Sequence, residues 1–392
     1  MSSISKTICL ICNDAFSMFH FRKDLIRHLI SRGHIVTTVI PPAGSYKKSL
    51  ERIGAKVVEI DIIRFISPIR DIKLCIELIR FFRSNNFDIV HTMTLKPNLY
   101  AAPIAKLFSS SKVVGLVSGS GYLFSESGKS DHPILSRIVS SSLKLSFYSI
   151  QKVWFQNPDD CRDFIGNKLI SGDKCVLIRG SGINLDEFHP NNCVPELKEK
   201  IRLKFGLPVD CQIVLMVAAR RIASKGVREF AQAAALLLPN FPNWRFLLIA
   251  PDDPGTPDQV EADDEIFNIE GLAAPSGFFE NIQDIVAVSD IVTLPSYYQE
   301  GLPRFLLEGM ACGKPIVTTN HTGCRETVLE GQNGFLVPPK NHEMLAKALE
   351  RLMDNEKMRL SFGKRSRLIC EREFSEKIVC NRVSTELYGM AQ

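Results

Sequence analysis

The stretch TICLICNDAFSMFHFRKDLIRHLISRGHIVTTVI, residues 7–40, contains the pattern that decides the fold. Its first six residues form an apolar run, which predicts a buried strand. A segment with apolar residues at helical spacing follows and ends at Gly33, a residue type that commonly terminates helices. A second apolar run, 34–40, completes a strand–helix–strand unit. Because such a unit joins parallel strands by a crossover, the stretch predicts a parallel sheet covered by helices.

The same alternation runs along the chain of 392 residues and breaks at 183–210, a polar, proline-containing stretch that we interpret as a linker with one short helix. A chain of this length is too long for one ordinary core. We therefore expect an α/β protein with two Rossmann-like doubly wound domains, 1–185 and 186–372, and a C-terminal helix, 373–392, that packs back toward the first domain. Ligands of such sheets bind at the carboxyl ends of the strands, which predicts a ligand cleft between the two domains.

Composition and charge exclude several classes of protein. Hydrophobic residues make up 45% and charged residues 23%, and the formal net charge is +5, too small an excess to indicate a nucleic-acid-binding protein. It would suit anionic substrates or an anionic membrane surface. No signal peptide pattern and no apolar run of about 18 residues is present, so we expect a cytoplasmic protein without a transmembrane helix.

The eleven cysteines lie mostly within apolar runs. This distribution predicts reduced, buried thiols in preference to a disulfide framework. Cys9 and Cys12 form a C-x-x-C motif, but they lie inside a strand-like run and not at the start of a helix, where redox chemistry needs them. We therefore expect neither a redox nor a metal site from this motif.

The segment TLPSYYQEGLPRFLLEGMACGKP, residues 293–315, is the strongest candidate site. A buried strand is followed by a loop and by a helix in whose first turn Pro303 fits. The backbone N–H groups of Gly301 and Leu302 would then lie at a helix N-terminus, which favours a phosphate. Glu300 precedes this helix and Glu308 lies within it, in an apolar context where an unpaired acid would be unfavourable. The two carboxylates suit a sugar-nucleotide.

A second candidate site, VAARRIASKG at 217–226, directly follows the first strand of the predicted second domain. Arg220, Arg221 and Lys225 would emerge at the carboxyl end of that strand. Arg binds phosphate bidentately and Lys adds a point charge, a combination that suits a diphosphate. The phosphate-binding G-x-x-x-x-G-K-[ST] motif and the dinucleotide-binding G-x-G-x-x-G motif are absent from the sequence.

These motifs, together with GCRETV (323–328) and NGFLVPP (333–339), resemble the retaining glycosyltransferases of family 4, which have the GT-B architecture, over almost the whole chain. Glu300 to Glu308 matches the family's E-x7-E signature, and Arg220 with Lys225 matches its R…KG donor site. The resemblance implies that Arg220 and Lys225 neutralise the leaving diphosphate, Glu308 holds the ribose and Glu300 contacts the donor sugar. It also implies retention of anomeric configuration, a UDP-sugar donor, no further cofactor and no catalytic metal.

The first half resembles the branch that acts on undecaprenyl-diphosphate-linked sugars, including N-acetylgalactosaminyltransferases and O-antigen or capsule transferases. The matching segments are FRKDLIRHLISRGH, DIVHTMTLKPNLYAA and GSGYLFS. The resemblance implies a lipid-linked saccharide acceptor. It places His91, Thr94, Lys96 and Tyr122 on the acceptor side. Asn13 would face the cleft, and we count it with the donor-binding residues. For Lys96, an ordinary lysine at a helix start remains the alternative.

The chain departs from the family at Ser118, where many members have a histidine that contacts the donor sugar. We count Ser118 with the donor-binding residues because the Gly-rich segment SGSG lets backbone approach a sugar closely. His91 is no automatic replacement, since a histidine at the end of a buried strand is usually structural.

Two further questions stay open at the level of the sequence. The amphipathic stretches 62–83 and 134–148 mix apolar residues with Arg and Lys, which fits either core-facing helices or a protein that rests on the inner face of the plasma membrane. The alternative functions are a non-hydrolysing UDP-sugar 2-epimerase, which has the same architecture, and a non-catalytic nucleotide-sugar-binding protein.

Overall fold

The chain divides into two compact units. The computed structural model describes residues 5–63, 67–119, 133–253, 256, 258–277, 279 and 281–391, with the backbone alone for 133–139. Unit 1 comprises Met1–Gly182 together with Glu376–Gln392, and unit 2 comprises Ile183–Ser375. The divisions predicted from the sequence lie at 185 and 372.

Unit 1 is built on a seven-stranded parallel sheet in the order β3-β2-β1-β4-β5-β6-β7. The chain starts in the middle of the sheet, fills one side and then returns to fill the other. After β1 the chain continues to one side of the sheet, and after β4 it continues to the other side. The carboxyl ends of these two neighbouring strands therefore form the topological switch point, where ligands bind in such sheets. The strands are Thr7–Cys12 (β1), Ile35–Ile40 (β2), Lys56–Glu59 (β3), Ile89–Met93 (β4), Lys112–Val117 (β5), Lys152–Phe155 (β6) and Cys175–Leu177 (β7).

Unit 2 has a six-stranded parallel sheet in the order β10-β9-β8-β11-β12-β13. Its switch point lies between β8 and β11. The strands are Gln212–Val217 (β8), Trp244–Ile249 (β9), Leu272–Ala273 (β10), Ile291–Leu294 (β11), Ile316–Thr319 (β12) and Gly334–Val337 (β13). Two parallel sheets with helices on their faces confirm the predicted fold class.

Helices connect the strands in both units, and their bounds follow from ordinary capping signals. Asp14 caps α1 by accepting hydrogen bonds from the backbone of Phe16 and Ser17, and Asn157 caps α6 in the same way. The helices of unit 1 are Ala15–Ser31 (α1), Ser45–Arg52 (α2), Pro68–Ser84 (α3), Leu95–Phe108 (α4), Pro133–Tyr148 (α5) and Pro158–Gly166 (α6). Those that follow are Pro195–Lys204 (α7), Val227–Leu237 (α8), Ile282–Val288 (α9), Arg304–Ala311 (α10), His342–Met353 (α11), Glu356–Ile369 (α12) and Glu376–Arg382 (α13).

The sheet of unit 1 is covered on both faces. Alternate residues of β1 point to opposite sides, so Ile8 and Leu10 pack with α1, α2 and α13, whereas Cys9 and Ile11 pack with α3, α4, α5 and α6. The C-terminal segment Glu376–Gln392 belongs to unit 1, and its described part consists of α13 followed by a π-helical turn, Val383–Leu387.

Two expectations are wrong. The stretch 183–210, predicted as a linker, contributes buried side chains such as Ile183, Phe188 and Ile201 to the core of unit 2, because apolar residues are spaced among its polar ones. Cys161 and Cys175 form a disulfide, although reduced thiols were expected. Helix α6 folds back against β7 and brings the two Cα atoms to 6.7 Å, a proximity that the sequence does not show.

Cys9 and Cys12 are free and fully buried in β1, and burial raises the pKa of Cys12 to about 11. Within the described residues, no helix is long and apolar enough to cross a membrane.

Candidate active site

The switch point of unit 2 brings the two strongest sequence motifs together. The loop after β8 carries Arg220 and Lys225, and the loop after β11 carries Glu300. Since β8 and β11 are neighbouring parallel strands, these loops leave the same edge of the sheet side by side. The two candidate sites of the sequence analysis therefore form one site.

An ion pair joins the two loops. The ammonium of Lys225 contacts the carboxylate of Glu300, and both side chains are about nine-tenths buried. The hydroxyl of Ser296 donates a second hydrogen bond to Glu300 Oε1 at 3.0 Å. Charged side chains buried to this degree need such partners, and the pairing orients both groups. The carboxylate is thereby held next to a cation.

An aromatic ring lies against both cations of the site. Tyr298 has Lys225 Nζ 4.6 Å and Arg220 Cζ 5.4 Å from its ring centroid, distances at which a ring face attracts cations. Arg220 also lies 3.6 Å from a carboxylate oxygen of Asp253. The result is a pair of positive charges on one ring, one buried (Lys225) and one partly exposed (Arg220), at an edge where such sheets bind ligands.

Two glycines allow this close approach. Gly226 has φ +82°, and a Cβ there would lie 2.2 Å from the carbonyl oxygen of Pro295. Gly323 has φ +75°, and its Cβ would lie 2.7 Å from the carbonyl oxygen of Glu300. Any larger residue would push the neighbouring backbone away, so both positions require glycine. Between the loops, the backbone N–H of Tyr297 donates to the carbonyl of Ser224 at 2.8 Å.

Helix α10 begins at Arg304, four residues after Glu300. Pro303 is its N-cap residue, one position earlier than the first-turn position that the sequence suggested, and the helix ends at Ala311, with Cys312 as its C-cap. Gly301 and Leu302 therefore lie just ahead of the helix N-terminus. Glu308 is buried, as its apolar neighbours predicted, and its Oε1 accepts a hydrogen bond from Arg304 Nε at 3.1 Å.

Arg221 does not share the environment of Arg220 and Lys225. Its side chain is fully buried, and its guanidinium donates hydrogen bonds to the carbonyls of Ala274 and Pro275 at 3.1 and 3.0 Å. It also pairs with Asp252 at 3.3 Å. Burial lowers the pKa of Arg221. Arg221 therefore links the loops after β8, β9 and β10 through buried contacts.

The switch point of unit 1 shows a similar arrangement. Thr94, after β4, donates a hydrogen bond to Oδ1 of Asn13, after β1, at 2.7 Å. Thr94 has φ +74°, a conformation that non-glycine residues adopt at an energetic cost and often at functional positions. Asn13 also lines a cavity of about 430 Å³. Its other lining residues lie in the loops after β1, β2 and β3 and in the first turns of α1 and α2, and they include Phe16, Tyr46 and Asp61.

Lys96 is buried and forms an ion pair with Asp71. Its Nζ lies 2.6 Å from Oδ1 of Asp71, and both side chains are 7% exposed. Tyr100 donates to the other oxygen of Asp71 at 3.1 Å. This environment favours the alternative that Lys96 is an ordinary lysine at a helix start, because its ammonium is already paired with Asp71.

His91 lies in the core of unit 1. Its side chain is completely buried, and its Nδ1 is 2.8 Å from the hydroxyl of Tyr388 in the C-terminal segment. Burial lowers the pKa of His91 to about 3, so the ring is neutral at physiological pH. A completely buried side chain cannot contact an acceptor saccharide, so we do not include His91 in the proposed site.

The last two predicted residues stand differently. Ser118, which follows β5, is exposed at the carboxyl edge of the sheet. Tyr122 lies outside the described residues.

Four residues of this site have no role predicted from the sequence: Ser296, Tyr298, Arg304 and Asp253. For Arg304 the signal was available, because it stands four residues before Glu308 on one helix face. The contacts of Asp253 and Tyr298 join separate loops and had no signal in the sequence.

Comparison with known proteins agrees with this geometry. Residues 198–368 match the family described as glycosyl transferases group 1, and residues 7–157 match the family described as glycosyl transferase 4-like. Among solved structures, the chain is similar to a glycosyltransferase from Rickettsia africae, with a TM-score of 0.79 and 22% identity over 98% of both chains. The chain belongs to the glycosyltransferases with the GT-B fold.

The chain is also similar in sequence to two named bacterial glycosyltransferases. The glycosyltransferase is 28% identical over 349 residues, 89% of both chains, to the N,N'-diacetylbacillosaminyl-diphospho-undecaprenol alpha-1,3-N-acetylgalactosaminyltransferase of Campylobacter jejuni. It is 25% identical over 295 residues, 75% of this chain and 73% of the relative, to the UDP-Gal:alpha-D-GlcNAc-diphosphoundecaprenol alpha-1,3-galactosyltransferase of Escherichia coli. HepE of Anabaena, crystallised with UDP and glucose, has the same fold, with a TM-score of 0.80 and 17% identity over 98% of this chain and 99% of HepE.

Proposed function

We propose that this glycosyltransferase moves a hexose or N-acetylhexosamine from a UDP-sugar to an undecaprenyl-diphosphate-linked saccharide, with retention of anomeric configuration. The product would serve surface polysaccharide or glycan biosynthesis. The observation that carries the proposal is the joined site at the switch point of unit 2, where Arg220, Lys225 and Glu300 meet.

The chemistry of sugar transfer explains why these groups belong together. As the bond between the anomeric carbon and the diphosphate breaks, negative charge grows on the leaving UDP and positive charge on the sugar. Arg220 and Lys225 supply cations for the diphosphate, and backbone N–H groups ahead of α10 add hydrogen-bond donors. Glu300, held beside Lys225, supplies a carboxylate for the sugar. Glu308 is then the partner proposed for the ribose hydroxyls.

The acceptor assignment rests on the relatives and on the chemistry of unit 1. The named acceptors of the Campylobacter and Escherichia enzymes are both sugars on diphospho-undecaprenol. In unit 1, the cavity beside Asn13 combines rings, from Phe16 and Tyr46, with the carboxylate of Asp61. Rings and carboxylates of this kind suit a saccharide, whose apolar faces stack and whose hydroxyls donate hydrogen bonds. With an acceptor that carries a lipid tail, the enzyme would act at the cytoplasmic face of the plasma membrane.

The deciding experiment measures UDP release from a panel of UDP-sugars, with and without an undecaprenyl-diphosphate-linked saccharide. We expect rapid release only when one UDP-hexose or UDP-N-acetylhexosamine and the acceptor are both present. Nuclear magnetic resonance of the product should show the anomeric configuration of the donor. Interconversion of UDP-sugar epimers without acceptor would instead identify a 2-epimerase. Donor binding with no turnover on any acceptor would identify a binding protein.

A further inference from the structure

We infer that the outer faces of α3, α4 and α5 form a docking surface for an anionic phospholipid bilayer. The starting observation is an asymmetry between the two helical layers of unit 1. The layer of α1, α2 and α13 shows no exposed large hydrophobic side chain among its described residues. The opposite layer carries several such side chains, and they are far more exposed than packing against a core would leave them: Ile69 84%, Ile72 64%, Ile76 46%, Leu107 77%, Leu145 76% and Tyr148 86%.

Helix α3 shows the pattern most clearly. Leu74, Leu78 and Phe82 face the core, whereas Ile69, Ile72 and Ile76 lie on the opposite side, at spacings of three and four residues. A helix that needs only one apolar face to cover a sheet carries polar residues on the other. Here the outer face also carries apolar residues, so the core does not explain them.

Charge identifies the surface that covers them. The exposed cations of these three helices accompany the apolar side chains on the same outer faces: Arg70, Lys73, Arg80, Arg83, Lys106 and Lys144. The three helices contain only two acids in their whole sequence, Asp71 and Glu77. Asp71 is buried against Lys96, and Glu77 lies 3.8 Å from Lys73. A basic surface with protruding isoleucines is complementary to anionic headgroups with acyl chains beneath them.

The apolar and basic groups are interleaved along the surface. Arg83 lies over the ring of Phe108 at 4.9 Å, next to Leu107, and Lys174 lies 5.6 Å from the ring centroid of Tyr148. Long cationic side chains beside apolar ones reach headgroup phosphates while their neighbours enter the bilayer. Helices α3 and α4 pack together, as do α4 and α5, so these positions belong to one surface.

A second copy of the chain fits this surface poorly. Two identical faces would bring their exposed cations together with almost no acid between them, and like charges repel at an interface. A bilayer with anionic lipids neutralises the same charges. We therefore assign the surface to the membrane and make self-association an outcome of the test.

The test is co-sedimentation of the full chain with lipid vesicles, without donor or acceptor, so that it is independent of the proposed function. We expect binding to vesicles of equal parts phosphatidylglycerol and phosphatidylcholine, weaker binding at high salt and little binding to phosphatidylcholine alone. The triple variant Ile69→Ser, Ile72→Ser, Ile76→Ser should lower the partition coefficient by about ten-fold or more. The triple variant Arg70→Gln, Lys73→Gln, Arg80→Gln removes three of the six exposed cations and should lower the salt dependence by about half.

The matched control is Leu203→Ser, Leu236→Ser, Leu360→Ser, which removes three exposed leucines from unit 2 and should bind vesicles as the wild type does. Circular dichroism and thermal unfolding check that every variant is folded. The inference is overturned if the wild type stays in the supernatant, or if the folded isoleucine variant binds as well as the wild type. It is also overturned if the wild type is a dimer that this variant converts to a monomer, since a second copy would then occupy the surface.

Discussion

Replacing Gly226 with alanine perturbs the two loops that hold Lys225 against Glu300. The new Cβ would lie 2.2 Å from the carbonyl oxygen of Pro295, and real Cβ contacts essentially never fall below 3.0 Å. One loop must therefore move by at least the difference, 0.8 Å. Because the contacted atom belongs to the backbone, a side-chain rotation cannot relieve the overlap.

Two effects add up in the free energy of unfolding. A left-handed backbone conformation costs an alanine about 1–2 kcal/mol, and overpacking costs about 1–3 kcal/mol more. We expect Gly226→Ala to lower the free energy of unfolding by about 2–5 kcal/mol. A displacement near 1 Å in a catalytic site reduces turnover by about 100-fold, so turnover should fall by this order even under conditions where the variant is fully folded.

Gly206→Ala is the matched control. Gly206 also has a positive φ, +64°, but a Cβ there meets nothing within 4 Å. It should lose about 1–2 kcal/mol of stability and keep its turnover. Urea unfolding gives the stability of both variants, and UDP release gives their turnover. The reasoning is refuted if Gly226→Ala loses no more stability than Gly206→Ala and turns over donor at the wild-type rate.

Three further substitutions test other parts of the account. His91→Gln should weaken the pH dependence of stability. Because buried His91 is neutral in the folded protein and takes up a proton on unfolding, the free energy of unfolding of the wild type falls by about 2 kcal/mol between pH 6.5 and pH 5. The loss grows as the pH falls toward 3. Urea unfolding at pH 7.5 and pH 5 measures this, and equal losses in both proteins would contradict a buried neutral histidine. Lys96→Met should lower the free energy of unfolding by about 3–5 kcal/mol, because it leaves Asp71 charged without its partner, and the double variant Lys96→Met, Asp71→Asn should recover part of the loss. Unchanged stability with a raised KM for the acceptor would restore Lys96 to the acceptor site. Glu300→Gln should lower kcat more than it weakens UDP binding, and an equal loss in both, measured by steady-state kinetics and calorimetry, would assign Glu300 to nucleotide binding.

The fold was largely predictable because parallel strands in covered sheets are continuous apolar runs. The run at 7–12 corresponds to β1 residue for residue. Capping residues such as Asn157 also act locally, so their positions can be predicted from neighbouring residues alone. The stretch 183–210 was mistaken for a linker because its few apolar residues show no period, although Ile183 and Phe188 are buried in unit 2.

The candidate site was predictable in its residue types but not in its pairings. Arg220, Lys225 and Glu300 stand in loops at the carboxyl ends of strands, and strand order brings those loops together. Which cation contacts which acid depends on loop conformation, so Arg220 and Arg221 were grouped although one is partly exposed and the other is fully buried. The burial of His91 likewise depends on Tyr388, 297 residues further along the chain.

Calorimetric titration with UDP decides whether the loops after β8 and β11 bind the donor. Arg220→Ala removes a partly exposed cation, and a charge-assisted hydrogen bond contributes about 1.5–3 kcal/mol. We therefore predict UDP binding about 10- to 100-fold weaker than in the wild type, with an unchanged fold. The control, Arg372→Ala, removes an exposed arginine elsewhere in unit 2 and should leave the affinity unchanged. Wild-type UDP affinity in Arg220→Ala would contradict the account.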